Sequence, residues 1–202
     1  NKINTIDTNI SRLDHLKSLN LSDNHIAELP KNFYKLSKLE YLIIENNFIM
    51  SFMENVNELK SLKFFNANNN QLKFLPETFG HCNALETVLL ENNNLEKLPL
   101  NIGELVNLKT LMLSDNKLHS LPESICNLFN LTALYFNNNF LELLPKDIGQ
   151  LVNVEDICLS SNLLEDLPED IKDLKKSRAI YLDNNQLKSF TADLSGLKAL
   201  QL

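Results

Sequence analysis

The amino-acid sequence predicts an α/β repeat fold: a curved solenoid with a parallel β-sheet on its concave face and short helical or 3₁₀ segments on its convex face. Two observations predict it. Asn24, Asn47, Asn70, Asn93, Asn116, Asn139, Asn162 and Asn185 recur every 23 residues without a slip, and an unbroken period of that length is the mark of a stacked repeat. Around each Asn sits one apolar frame, Leu-x-x-Leu-x-Leu-x-x-Asn-x-Leu, seen in Leu16, Leu19, Leu21, Asn24 and Ile26 and again in Leu108, Leu111, Leu113, Asn116 and Leu118.

Each period has two halves with different physics. In the first, Leu111-Met112-Leu113 between Thr110 and Ser114 reads as the period-two pattern of a short strand, and stacking joins such strands into one parallel sheet. In the second, a Leu-Pro step precedes an Ile-x-x-Leu spacing, as in Leu121-Pro122, Ile125 and Leu128, which suits a turn into a short helical or 3₁₀ segment. All six prolines, Pro30, Pro76, Pro99, Pro122, Pro145 and Pro168, share one slot of the repeat, so proline here is architecture and marks no linker. Gly80, Gly103 and Gly149 share another slot, just after a convex Phe or Ile, where a tight turn is expected.

The recurrent Asn follows from hydrogen bonding. Where the chain leaves the strand, backbone groups are left that no ladder reaches, and a buried Asn supplies both donors and an acceptor for them. Just after the first Leu of each strand come Lys17, Glu40, Lys63, Glu86, Lys109, Thr132, Glu155 and Arg178. Their signs alternate, which avoids like-charge contact between parallel neighbours about 4.8 Å apart. Two repeats depart from the frame. In one, Ala67 takes a Leu slot, Phe52, Phe64 and Phe65 crowd nearby and Met53 replaces proline, a pattern of volume exchange. In the other, Ser177 takes the leading Leu slot and Thr191 the proline slot.

At the ends, Asn1, Ile3, Ile6, Ile10 and Leu13 are in register with Asn24, Ile26, Leu29, Phe33 and Leu36, and the sequence stops at Leu200 and Leu202. The expected organisation is one domain over 1–202: a partial repeat at 1–15, eight repeats over 16–199, and the start of another at 200–202. No polar caps are visible, so a segment of a longer polypeptide is expected.

Composition narrows the function classes. The 202 residues are 44% hydrophobic with a net charge of −7, which is globular. The acidic balance argues against nucleic acid, whose phosphates call for clustered Lys and Arg. No apolar run approaches a membrane span, and no basic leader with an apolar core is present. Cys82, Cys126 and Cys158 form no paired pattern and read as free thiols, which points to a cytoplasmic location. Sequons at Asn9, Asn20 and Asn130 match the glycosylation pattern, as chance alone would supply in so Asn-rich a chain.

The candidate binding face is the concave one. The residue between the two buried strand positions points outward there, and that column reads Asn20, Ile43, Asn66, Leu89, Met112, Tyr135, Cys158 and Tyr181, apolar from Leu89 onward. Such a stripe marks a partner site. Tyr41, Phe64, Thr87 and Thr110 flank it on one side, and Glu45, Asn68, Glu91, Ser114, Asn137 and Asp183 on the other, with no Lys or Arg. Tyr41, Ile43, Glu45, Phe64, Leu89, Glu91, Met112, Tyr135, Cys158 and Tyr181 are therefore the candidate contacts for a protein with an apolar anchor and basic surroundings. Val106, Phe129 and Val152, on the outside, and Phe140, Leu143 and Leu163, beside the asparagine turn, form two smaller apolar groups.

Chemistry is not encoded in any recognisable form. Phosphate-loop, zinc-helix and nucleophile-elbow motifs are all missing. His15, His25, His81 and His119 lack the spacing of metal ligands, and Asp23, Asp115 and Asp183 lack that of a calcium loop, reading instead as caps of the turn after each strand. Cys158 has no His placed to activate it. A non-catalytic chain with no metal and no cofactor is expected.

The repeated frame of Leu, Asn and LPxxIxxL resembles the leucine-rich repeat family, in its 23-residue Ras-group form found in Scribble- and Erbin-like scaffolds, plant relatives, fungal adenylate cyclase and repeat-containing kinases. That resemblance implies a protein-binding scaffold in intracellular signalling, with a small GTPase or a phosphatase as partner. Two alternatives stand beside it: the recognition arm of a larger signalling enzyme (a kinase, cyclase or phosphatase), and an extracellular receptor or adhesion segment.

Overall fold

The computed structural model of the chain describes residues 1–188. Thr191 and the expected repeat start at 200–202 lie outside the described residues. Eight strands are found among those described: β1 (Ser18–Asn20), β2 (Tyr41–Ile43), β3 (Phe64–Asn66), β4 (Thr87–Leu89), β5 (Thr110–Met112), β6 (Ala133–Tyr135), β7 (Asp156–Cys158) and β8 (Ala179–Tyr181). They pair in sequence order, all parallel, each residue facing its equivalent one repeat on, as in Met112 against Tyr135. The solenoid fold predicted from the sequence is the fold observed.

Every connection runs through a convex 3₁₀ turn, such as Lys31–Lys35, Glu77–His81 and Glu123–Asn127. Proline sets the entry: Pro30, Pro76, Pro122 and Pro168 hold extended φ and ψ just before the turn, where a missing N–H costs nothing. Slender 3₁₀ turns on the outside and closely spaced strands on the inside curve the stack.

One continuous apolar core fills the space between, from Ile26 to Leu174. In the repeat that departs from the frame, Ala67 is fully buried, while Phe65 packs edge-on against Phe52 at 5.4 Å and tilted against Phe79 at 5.9 Å. Met53, lacking the ring of proline, has an N–H to satisfy. It donates to the hydroxyl of the buried Tyr34 at 3.2 Å. Ser177, in the leading Leu slot, is completely buried and donates to the Ala179 carbonyl at 3.4 Å.

The glycines correct the turn expected of them. None of Gly80, Gly103 and Gly149 has positive φ; a Cβ on Gly103 would instead overlap the Ser124 carbonyl, and one on Gly149 the Asp170 carbonyl. The requirement is close approach between neighbouring convex turns.

Candidate functional site

The asparagine ladder fixes the sheet from behind. Asn116, typical of the series, donates to the carbonyls of Leu90, Leu113 and Ser114 at 2.8, 3.1 and 3.2 Å and accepts from the Leu95 N–H at 2.9 Å. One side chain thus ties its own turn to the preceding repeat. Asn24, Asn47, Asn70, Asn93, Asn139, Asn162 and Asn185 each accept from a backbone N–H in the same way.

Immediately before each ladder Asn lies a second polar column that sequence reasoning did not single out. Asp23, Asn46, Asn69, Asn92, Asp115, Asn138, Ser161 and Asn184 all have φ between 54° and 57°, the left-handed region that Asn and Asp tolerate best among residues with a Cβ. Their side chains also bridge repeats: Asn46 donates to Asp23 at 2.8 Å, Asn92 to Asn69 at 2.6 Å and Asn138 to Asp115 at 2.9 Å. Asp23 and Asp115 therefore hold the turn by backbone conformation and by links between repeats, and do not cap it. Asp183 lies one slot earlier and accepts from the Ser160 hydroxyl. The signal available in the sequence was the run of Asn and Asp one place before the ladder.

On the concave face the register brings Ile43, Leu89, Met112, Tyr135, Cys158 and Tyr181 into one column. Ile43, Leu89, Met112, Tyr135 and Cys158 are half-buried, and Tyr181 is 52% exposed. Asn66 differs from its column. It is buried, its amide donating to Glu45 at 2.7 Å and its oxygen accepting from the Asn68 N–H at 3.0 Å. Asn68 in turn donates to Glu91 at 3.3 Å and accepts the Glu91 N–H at 2.7 Å. On the other flank Tyr41 and Phe64 pack at 6.3 Å. Toward β8, an open cleft of about 370 Å³ is lined by Tyr135, Asn137, Asn138, Cys158, Ser160 and Tyr181.

The electrostatics of the two sheet margins differ sharply. Along the leading column, Glu40 pairs with Lys17 at 3.2 Å and Lys63 at 2.8 Å, Glu86 with Lys109 at 2.7 Å, and Glu155 with Arg178 at 2.9 Å. Hydrogen bonding to Lys63, then Lys17, lowers the Glu40 carboxyl from its ordinary value, and Lys109 does the same for Glu86. On the concave face and its trailing edge, Asp23, Glu45, Glu91, Asp115, Asp156 and Asp183 form no ion pair among the described residues. Burial first, then the negative groups around it, among them Asp156 and Glu91, raise the Tyr135 hydroxyl above its ordinary value. The Cys158 thiol is raised by burial and by Asp156.

Other surfaces carry exposed apolar groups. Val106, Phe129 and Val152 are exposed in three successive repeats, as are Phe140 and Leu143 on the edge after the asparagine turn, where Leu163 is half-buried. Phe48, Met50 and Phe74 are exposed on that same edge nearer β1, unremarked in the sequence pattern because they stand singly in different slots. Histidine packs on phenylalanine there twice: His25 stacks on Phe48 at 5.6 Å, and His119 lies tilted against Phe140 at 5.5 Å. Among the described residues no group of His, Cys, Asp and Glu is arranged to hold a metal, and no helix is long and apolar enough to cross a membrane.

A leucine-rich repeat region model matches residues 81–202, and a single leucine-rich repeat model matches residues 15–36. The chain belongs to the leucine-rich repeat family. No curated protein matches it in sequence. Among solved structures, a leucine-rich repeat protein of Leptospira interrogans is 29% identical with a TM-score of 0.75, the match covering 98% of this chain and 56% of that one. YopM, a leucine-rich effector protein of Yersinia pestis, is 34% identical with a TM-score of 0.72, over 87% of this chain and 46% of that one. The functional domain of InlJ from Listeria monocytogenes, which includes a cysteine ladder, is 25% identical with a TM-score of 0.84, over 100% of this chain and 41% of that one. This leucine-rich repeat chain thus spans about half the length of the structures it resembles. Its own cysteines form no ladder: Cys82 ends a convex turn, Cys126 lies within one, and Cys158 is on the sheet. Leucine-rich repeat proteins serve in general as protein-interaction modules.

Proposed function

We propose that this chain is a non-catalytic recognition module that holds a protein partner on its concave face. Tyr41, Ile43, Glu45, Phe64, Leu89, Glu91, Met112, Tyr135, Cys158 and Tyr181 form the contact surface. The observation that carries this reading is the half-exposed apolar column on a sheet face that has no covering layer among the described residues, bordered by carboxylates that pair with no cation among them. A face of that kind offers an apolar centre and a charged margin. On the Ras-group resemblance, the module works as a cytoplasmic signalling scaffold, and its partner is a small GTPase or a phosphatase.

The test is affinity capture from native extract with wild-type protein, Tyr135→Ala/Tyr181→Ala, and Phe129→Ala on the outer face. Aromatic anchors supply much of the energy of an interface. Partners recovered by wild type and Phe129→Ala should be lost from the double variant, whose circular dichroism should match wild type. Equal recovery by all three proteins would refute concave-face binding.

A further inference from the structure

The concave cleft near β8 has a composition that specifies more than an apolar patch. Tyr135 and Tyr181 lie on β6 and β8 with Cys158 between them on β7, and all three line the open cleft. Two strand spacings separate the tyrosines, roughly 10 Å. A group seated midway is then about 5 Å from each ring, within the range at which an aromatic face attracts a cation. The short Cys158 side chain leaves the floor between the rings low.

The charges around the cleft have one sign. Asp156 and Asp183 belong to the strands and turns that form it, and Glu91 lies further along the same face. No Lys or Arg occupies the outward-facing columns of any strand from β1 to β8. The Asp156 carboxylate makes no hydrogen bond or ion pair among the described residues, and the Asp183 carboxylate accepts only from the neutral Ser160 and Asn184 side chains. Along the leading column of the same sheet, by contrast, Glu40, Glu86 and Glu155 are each paired with a cation.

Resting on the concave-face reading above, we infer that the Tyr135–Cys158–Tyr181 cleft is a seat for an arginine side chain carried by an extended basic segment of the partner protein. The guanidinium enters between the two rings, and the carboxylates of Asp156 and Asp183 neutralise it. Arginine suits the site better than lysine because its planar, weakly hydrated head stacks on aromatic faces while its edge donates to carboxylates. The apolar column continuing through Met112 and Leu89 accommodates an aliphatic neighbour of that arginine.

The experiment titrates isotope-labelled protein with the peptide Gly-Ser-Arg-Leu-Arg-Ser-Gly and with its counterpart carrying citrulline at both arginines. Citrulline keeps the planar shape and removes the charge. The arginine peptide should shift the Tyr135 and Tyr181 ring signals and bind about tenfold more tightly than the citrulline peptide. Tyr135→Leu/Tyr181→Leu and Asp156→Asn should each erase most of that difference. Equal binding of both peptides, shifts that map elsewhere, or no binding by the arginine peptide would overturn the inference. The two readings fail separately: if capture is lost in Tyr135→Ala/Tyr181→Ala while the peptides bind alike, the concave reading stands and the arginine seat falls.

Discussion

Asn116→Ala removes one amide from the middle of the ladder, and the hydrogen-bond pattern defines what is left behind. The three carbonyls that Asn116 serves all keep other donors. Asn93 reaches the Leu90 oxygen at 3.2 Å, Asn139 reaches that of Leu113 at 3.0 Å, and the Asn92 N–H reaches that of Ser114 at 3.0 Å. Only the buried Leu95 N–H, held by Asn116 at 2.9 Å, has no second acceptor. The expected loss is therefore that of a single orphaned donor, about 1–3 kcal/mol, far below a sum over all four bonds. Urea unfolding followed by circular dichroism measures it. Asn24→Ala is the internal control, since the groups it frees, the Ile3 N–H and the Ser22 carbonyl, are only part-buried, and it should cost less. Asn116→Asp keeps the acceptor but sets a carboxylate against three carbonyl oxygens at a position 6% exposed. Its folded-state pKa is then raised, so stability is greatest below the unfolded-state pKa and falls as pH rises through the folded one. That variant should be weaker at pH 7 than at pH 4 relative to wild type. A loss under about 0.5 kcal/mol for Asn116→Ala, or one no larger than that for Asn24→Ala, would refute the reasoning.

Two further predictions follow from residues that depart from the frame. Tyr34→Phe strands the Met53 N–H and should cost about 1 kcal/mol, whereas in a Met53→Pro background, with no N–H to satisfy, the same change should be close to neutral; equal costs in the two backgrounds, measured as a double-mutant cycle, would count against the contact. Burial pushes the Cys82 thiol up to about 12 and, with Glu123 and Asp147 adding to it, the Cys126 thiol up to about 11. An aromatic disulfide reagent at pH 8 should accordingly titrate Cys158 alone, and slowly, in the native protein and all three thiols in urea; rapid reaction of Cys82 before unfolding would contradict its placement.

Much of the fold was legible because periodicity turns a three-dimensional problem into a one-dimensional one. Once Asn24 and Asn47 set the interval, the strand at Thr110–Met112 and the convex turn at Glu123–Asn127 follow by addition. What the period cannot reveal is why a slot is filled. Gly103 looked like a turn residue, yet its φ is negative and the reason lies in the Ser124 backbone of the next repeat. Asp115 looked like a cap, yet it holds a left-handed backbone. The concave column was placed correctly on the sheet, while Asn66 is buried by its bond to Glu45, a contact between columns that a reading along single columns does not consider.

The distribution of charge bears on the candidate site independently of its apolar column. In this stack the means of neutralising a carboxylate is simple: a lysine in the equivalent slot of the next repeat lies about 4.8 Å away along the sheet. The leading column uses that device, with Glu40 clasped by Lys17 and Lys63. On the concave face the chain meets the same problem with different chemistry. Glu45 and Glu91 are two repeats apart, and neutral Asn68 stands between them and donates to Glu91; Asp183 leans on the Ser160 hydroxyl. These partners relieve repulsion between carboxylates while leaving their charge intact. A cationic partner for this face, as proposed above, would gain from that retained charge through faster encounter and exclusion of acidic competitors.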